Sequence, residues 1–281
     1  MTIIRKIPWT KKPPANTGID WANPLSKGLV GVFPFWEAGG QPRNIIDNSI
    51  TALDEGDPSW AVNRDGITRD YDNTDSDSLA VSTTSKLRTI GACTLFFKGY
   101  NREAQASSAF NGLAGLRPSG AGGVPWAYNF RQNSALMQFH WRAGGGFSIA
   151  SATTNLPTDD YFSITCTRPV LATSGKIYKD GLLLNETTGL SAPTAGTANL
   201  AIGQTIETGS ENWDGQMNLF CIWDRELSES EVLTLEHNPY QIFQPRTQVL
   251  NTFVAAGGGG ATNPHYVFGH PLYGPFAGPI G

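Results

Sequence analysis

The stretch "SGKIYKDGLLLNETTG", residues 174–189, sets an Asp-Gly pair, Asp180 and Gly181, between two short apolar runs. Both central positions of a type I′ turn need φ > 0, which Asp-Gly tolerates and most pairs resist. The reading is two antiparallel strands, Lys176–Tyr178 and Leu182–Leu184, joined by a two-residue loop. A chain that turns this tightly belongs to a sheet built from short strands.

The rest of the chain supplies those strands. Candidates run through 28–36, 78–84, 92–100, 126–132, 135–143, 147–152, 161–169, 199–204 and 215–225. The one helical pattern is short: in "LSESEVLTLEHNP" (227–239), Ser228 serves as N-cap with Glu231 three residues on, a capping box. Val232, Leu233 and Leu235 supply its apolar side before Pro239 ends it. Only 16% of the 281 residues are charged, while Gly (32) and Pro (18) are plentiful, which suits many strands joined by tight turns. These patterns predict an all-β fold of two packed antiparallel sheets with one short helix near the C-terminal end.

Three zones follow from composition. Residues 1–25 read as an extended N-terminal arm, punctuated by proline and carrying Arg5, Lys6, Lys11 and Lys12. Residues 26–246 hold the strands. Residues 247–281 contain no Asp, Glu, Lys or Arg, yet carry Tyr266, Phe268, Tyr273 and Phe276 among glycines and prolines. So uncharged and aromatic a tail is expected to pack along its own domain or a neighbouring subunit.

Several function classes recede. A net charge of −4 leaves no basic footprint for nucleic acid. Cys93, Cys166 and Cys221 lie in apolar runs, odd in number and without CxxC spacing, so they read as small core residues and fit a chain made in a reducing cytosol. The N-terminus shows no secretory h-region and no run approaches a membrane span.

"KIYKDGLLLNETTG", "NLAIGQ" and "WDGQMNLFCIWDRELSESEVLTLEHNP" together resemble the laminin-G-like, concanavalin A-like jelly roll. The matching positions are Tyr178, Asp180, Gly181, Ile202, Gly203, Gly215, Trp223, Arg225, Leu227, Ser228 and Glu231. More narrowly, the chain resembles the version carried by tailed bacteriophages, in which a "GIDWANPLSKGLVG" opening (18–31) and an "NPYQIFQP" close (238–245) bracket the roll. The resemblance implies a two-sheet antiparallel jelly-roll sandwich with terminal arms. It further implies a virion component, made in the host cytoplasm, that decorates a capsid or builds a fibre. Such a protein would be homo-oligomeric and would meet other virion proteins through its arms. The alternative is a glycan-binding adhesin of a tail or head fibre that contacts the host surface, and a glycoside hydrolase is a distant third.

A jelly roll hosts lectins, hydrolases and inert modules, so function rests on a site. Glycoside hydrolysis needs two carboxylates about the scissile bond; the glucan-hydrolysing relatives carry an E-x-D-x-x-E strand, and nothing here matches it. Neither a G-x-S-x-G nor a grouping of the four histidines suggests nucleophilic hydrolysis, and the chain reads as a non-enzyme without a resident cofactor. "RDYDNTDSDS" places Asp70, Asp72, Asp75 and Asp77 within eight residues, oxygen donors that suit calcium, which laminin-G-like relatives can hold. A solvated turn explains the same residues. The segment 122–146 offers Trp126, Tyr128, Arg131, His140 and Trp141 as a sugar platform, aromatic faces for stacking and polar groups for hydroxyls. Because Trp126 and Tyr128 share one strand face while Phe139 and Trp141 share another, part of this set is expected in the core.

Overall fold

A computed structural model describes residues 2–7, 9–50, 52–72, 77–82, 87, 91–102, 110–117, 129–133, 136–143, 146–171, 173–193, 199–204 and 212–251. The strands in chain order are β1 (Thr2–Ile7), β2 (Leu29–Phe33), β3 (Ala52–Glu55), β4 (Ser59–Asn63), β5 (Gly66–Tyr71) and β6 (Ser78–Val81). Next come β7 (Cys93–Asn101), β8 (Phe110–Arg117), β9 (Asn129–Asn133), β10 (Leu136–Ala143), β11 (Gly146–Thr153) and β12 (Asp160–Arg168). β13 (Ser174–Lys179), β14 (Leu182–Thr188), β15 (Asn199–Ile202), β16 (Gly215–Trp223) and β17 (Arg246–Asn251) complete the series, with helix α1 (Glu229–His237) between the last two. The chain divides into two compact units. One is Lys6–Arg246; the other joins Met1–Arg5 to Thr247–Gly281. β1 and β17 pair as a two-stranded sheet.

Within Lys6–Arg246 two antiparallel sheets form a sandwich. One runs β11-β10-β9-β8-β15-β6-β3, the other β14-β13-β12-β7-β16-β5-β4, with β2 also pairing β16. Their facing sides share one core that includes Leu95, Phe97, Phe139, Trp141, Ile164, Phe220 and Ile222. A second core lies on the other side of the β7–β16 pair, where Phe96, Leu219, Cys221 and Trp223 meet Ile19, Leu25, Val232, Leu235 and Phe243. This explains why "TLFF" and "LFCIW" do not alternate: a strand covered on both faces reads as a continuous apolar run. Cys93, Cys166 and Cys221 carry thiols buried in these cores.

The Asp-Gly hairpin forms as its chemistry requires. Asp180 has φ 49° and Gly181 φ 80°, and Lys179 pairs with Leu182 across the two-residue loop. Asp180 does more than turn the chain. Ser163 N–H donates to its Oδ1 at 2.9 Å, and its own N–H donates back to Ser163 O at 3.0 Å. Leu182, Leu183 and Leu184 are exposed on β14, an edge strand of its sheet. Gly215 (φ 145°) sits where an added Cβ would lie 2.2 Å from Tyr100 O, so close strand approach there demands glycine.

Helix α1 starts in a complete capping box of Ser228 and Glu231. Val232 and Leu235 are buried, whereas Leu233, about 100° round the helix from Val232, is exposed. Arg225 is no simple surface partner. Its guanidinium grips both oxygens of Glu231, at 2.9 and 2.7 Å, and donates to the carbonyls of Lys27 (2.7 Å) and Pro24 (3.3 Å). That fork holds Glu231 at a pKa of about 2 and ties the start of α1 to the chain before β2.

Residues 9–25, read above as part of an arm, are tied to 241–246. Gln244 N–H bonds Gly18 O at 2.8 Å and Asp20 N–H bonds Ile242 O at 2.8 Å. Trp9 Nε1 donates to Gln244 O at 2.8 Å, and the Arg246 guanidinium lies 5.3 Å from the Trp9 ring centre. No helix among the described residues is long and apolar enough to cross a membrane.

Candidate functional site

Among the described members of the expected sugar platform, His140 and Trp141 do not share a surface. Trp126 and Tyr128 lie outside the described residues. The β9–β10 register sets Arg131 opposite Gln138 and Asn129 opposite His140. His140 is buried, with Nε2 3.0 Å from Gln138 Oε1. Trp141, one residue on, faces the opposite way and is 0% exposed. Its N–H donates to Ser191 O at 2.7 Å, and the Arg168 guanidinium lies 5.1 Å from its ring centre. A ring enclosed on every side has no face for a sugar, so Trp141 belongs to the core rather than the platform. The period-two alternation of a strand separates it from His140.

The described part of the acidic run does not form a metal-ligand set. Asp70, Asp72 and Asp77 border a cleft of about 390 Å³, together with Asp57 and Arg102. Arg102 Nη2 donates to Asp70 Oδ1, and its Nη1 donates to Asp214 Oδ1 at 2.5 Å. Asp77 accepts the Asp57 N–H at 2.7 Å and the Asp72 N–H at 3.1 Å. A guanidinium therefore takes the charge-balancing place among these carboxylates, and Asp77 serves the turn. Asp75 lies outside the described residues; among those described, no group of three His, Cys, Asp or Glu side chains is placed to hold a metal ion.

A different place gathers chemistry. Beyond β2 the chain enters "PFWEAGGQPRNIIDNS" (34–49), which folds back on itself. Asn44, fully buried, accepts the N–H groups of Val32 (3.0 Å) and Ile46 (3.1 Å) through Oδ1. Glu37 Oε1 accepts the Arg43 N–H at 3.0 Å, closing a loop in which Phe35 (φ 48°) and Ala38 (φ 58°) hold left-handed backbone without being glycine. Lys12 clamps the loop from the other side, its ammonium donating to Phe35 O at 3.1 Å and to Ile67 O.

Between this loop and the turn at Asn16–Gly18 lies a cleft of about 460 Å³. Trp36, 6% exposed and 5.3 Å from the Phe243 ring, supplies apolar floor. Glu37, Gln41, Arg43 and Asn48 supply polar walls, with Asn16 and Thr17 opposite. Glu37 Oε2 is buried with no hydrogen-bond partner among the described residues. Burial pushes the Glu37 carboxyl above its usual range, against the pull of the backbone amides of Arg43, Glu37 and Trp36 and of the Lys12 charge. Burial likewise drives the Lys12 ammonium down to about 7. A half-buried carboxyl, amides and an arginine around an apolar floor can bind a polar, ring-shaped ligand by its hydroxyls.

Comparison with known proteins gives the frame. The family profile described as Concanavalin A-like lectin/glucanases superfamily, of laminin G type, matches residues 72–233, more than half of the chain. The protein belongs to this family. A comparison with curated proteins found no match. Among solved structures, the binding domain of Paraclostridial Mosquitocidal Protein 1 aligns at a TM-score of 0.60 with 15% identity, over 75% of this chain and 52% of that one. A botulinum neurotoxin type C structure, titled for cell entry dependent on two ganglioside molecules, aligns at 0.60 with 12% identity, over 75% and 51%. The chain thus spans about half the length of these two structures, and the likeness is one of fold.

This concanavalin A-like chain carries its cleft outside the family match, on residues 15–48. Sequence reading passed over the cleft because Glu37 stands alone in the chain and Lys12 sits 25 positions before it. The visible signal was "EAGGQPR", a glycine-rich turn flanked by opposite charges.

Proposed function

We propose that the chain is a non-catalytic glycan-binding module of the concanavalin A-like family and that it works on the virion of a tailed phage. The observation that carries the first part is the cleft beside Trp36. It offers unsatisfied polar groups over an apolar floor, and among its described lining residues Glu37 is the one carboxyl. Glycosidic hydrolysis needs a second carboxyl across the bond, so the arrangement suits retention of a sugar rather than its cleavage. The fold is a scaffold that supports the reading by analogy, since one structure sharing it is titled for ganglioside-dependent entry.

The virion part rests on the resemblance of residues 18–31 and 238–245 to the phage version of the roll. Those two segments hydrogen-bond each other, Asn23 Nδ2 donating to Gln241 O at 2.8 Å beside the Ile19–Phe243 bridge. On this reading residues 1–5 and 247–281 serve attachment or oligomerisation. Screening the full chain on a glycan array tests the module: selective binding is expected, and no binding to any sugar at millimolar concentration overturns it. Deleting residues 247–281 tests attachment, with loss of oligomer or of particle association expected; intact assembly overturns that role.

A further inference from the structure

The Trp36 cleft does not end at Arg43. A second cleft, of about 410 Å³, adjoins it and is lined by Pro42, Ile50 and Ala52 together with three residues of the first: Gln41, Arg43 and Asn48. We propose that the two clefts are subsites of one groove for an anionic oligosaccharide, with the acid group of the sugar seated on Arg43 at the waist. This deepens the glycan-binding reading above and rests on it.

Three features carry the inference. First, the waist is made of donors. Gln41, Arg43 and Asn48 are exposed, and their side chains make no hydrogen bond or ion pair with any described residue. Second, Arg43 is left with its charge unspent. Its backbone N–H, rather than its guanidinium, engages Glu37, so the acid that lies closest in the cleft does not neutralise it. Asp47, the other carboxylate of the loop, accepts from Ser49 N–H at 3.0 Å and Ser49 Oγ at 2.6 Å. Third, Glu37 is the one carboxyl among the described residues lining the two clefts, so an incoming anion meets little negative charge there.

A guanidinium presents a planar fork matched to carboxylate and sulfate oxygens, and flanking amides read the neighbouring hydroxyls. Each cleft is small for a ligand site, near the low end of the ~300–1,000 Å³ range. Together they fit a chain of sugars better than a single ring. Buried Trp36 and Ile50 give the two clefts apolar floors against which C–H edges of the sugars would rest.

Calorimetric titration of the full chain tests this with four probes. These are a hexuronate tetramer, the hexuronate monomer, a sulfated glucan tetramer and the neutral glucan tetramer. The acidic or sulfated tetramer is expected to bind at least tenfold tighter than the neutral one, and the hexuronate tetramer tighter than its monomer. The carboxylate and sulfate arms tell the two anions apart. Arg43→Gln is expected to abolish the preference while leaving the melting temperature unchanged, and Arg43→Lys to restore part of it. Equal affinity for acidic and neutral tetramers, or a preference that survives R43Q, overturns the anionic groove and leaves the glycan-binding reading standing. Tetramer no tighter than monomer overturns the two-subsite groove alone. Failure of all four probes, together with a blank array, overturns both readings.

Discussion

At the tip of the β13–β14 hairpin, Asp180 (φ 49°) and Gly181 (φ 80°) take left-handed backbone; in the loop after β2, Phe35 (φ 48°) and Ala38 (φ 58°) do the same. The hairpin uses residues whose own chemistry favours that conformation. The loop uses residues that resist it, at a cost of order 1–2 kcal/mol each. What holds the loop is therefore remote: Lys12 on the Phe35 carbonyl, Asn44 on the Val32 and Ile46 amides, and the Arg43 N–H on Glu37. The hairpin turn adds two bonds to Ser163 to a conformation its own residues already favour. A turn held by its neighbours is where a cleft, an orphaned carboxyl oxygen and a displaced lysine pKa collect.

Substitutions can break this contrast, beginning with the largest effect. Asn44→Ala strips the acceptor from two buried amides and is expected to cost about 2–4 kcal/mol in urea unfolding. It should also disorder the cleft loop, seen as lost glycan affinity. Gly181→Ala tests the other turn: left-handed alanine, with its Cβ 3.1 Å from Glu236 Cβ, is expected to cost about 2 kcal/mol and leave glycan affinity unchanged. A cost as small as a surface substitution would mean that the hairpin geometry does not depend on glycine.

A pH effect comes next. The Lys12 pKa is lowered from 10.5 to about 7 by burial, so between those values the folded state binds fewer protons than the unfolded. Stability is expected to rise with pH through that window, because the burial cost of the charge is relieved as Lys12 deprotonates. Lys12→Met should flatten the slope; a slope unchanged in this variant would assign it to another group. The smallest effect is Ala38→Gly, which removes left-handed strain and is expected to stabilise by at most about 1 kcal/mol, against glycine's greater chain entropy. Destabilisation would show that Ala38 packs rather than strains.

Much of the fold could be read along the chain. The Asp-Gly turn, the Ser228–Glu231 capping box and the buried cysteines stand where local chemistry puts them. The misreadings are equally local in origin. Trp141 looks like a binding face until the facing sheet encloses it. Asp70 looks like a calcium ligand until Arg102, which also holds Asp214, reaches it from 32 residues away.

By itself the sequence determined many of the sandwich strands, where the hairpin turns and how the helix begins, because those depend on residues within four positions of one another; β1, β3, β4, β8 and β17 were not legible in it. Only the tertiary structure decided which faces are covered, which carboxyl is buried beside a lysine and which arginine is left with an open charge. Burial and electrostatics are set by what packs nearby, and residues 12, 37 and 43 acquire their character from each other and from the walls around them.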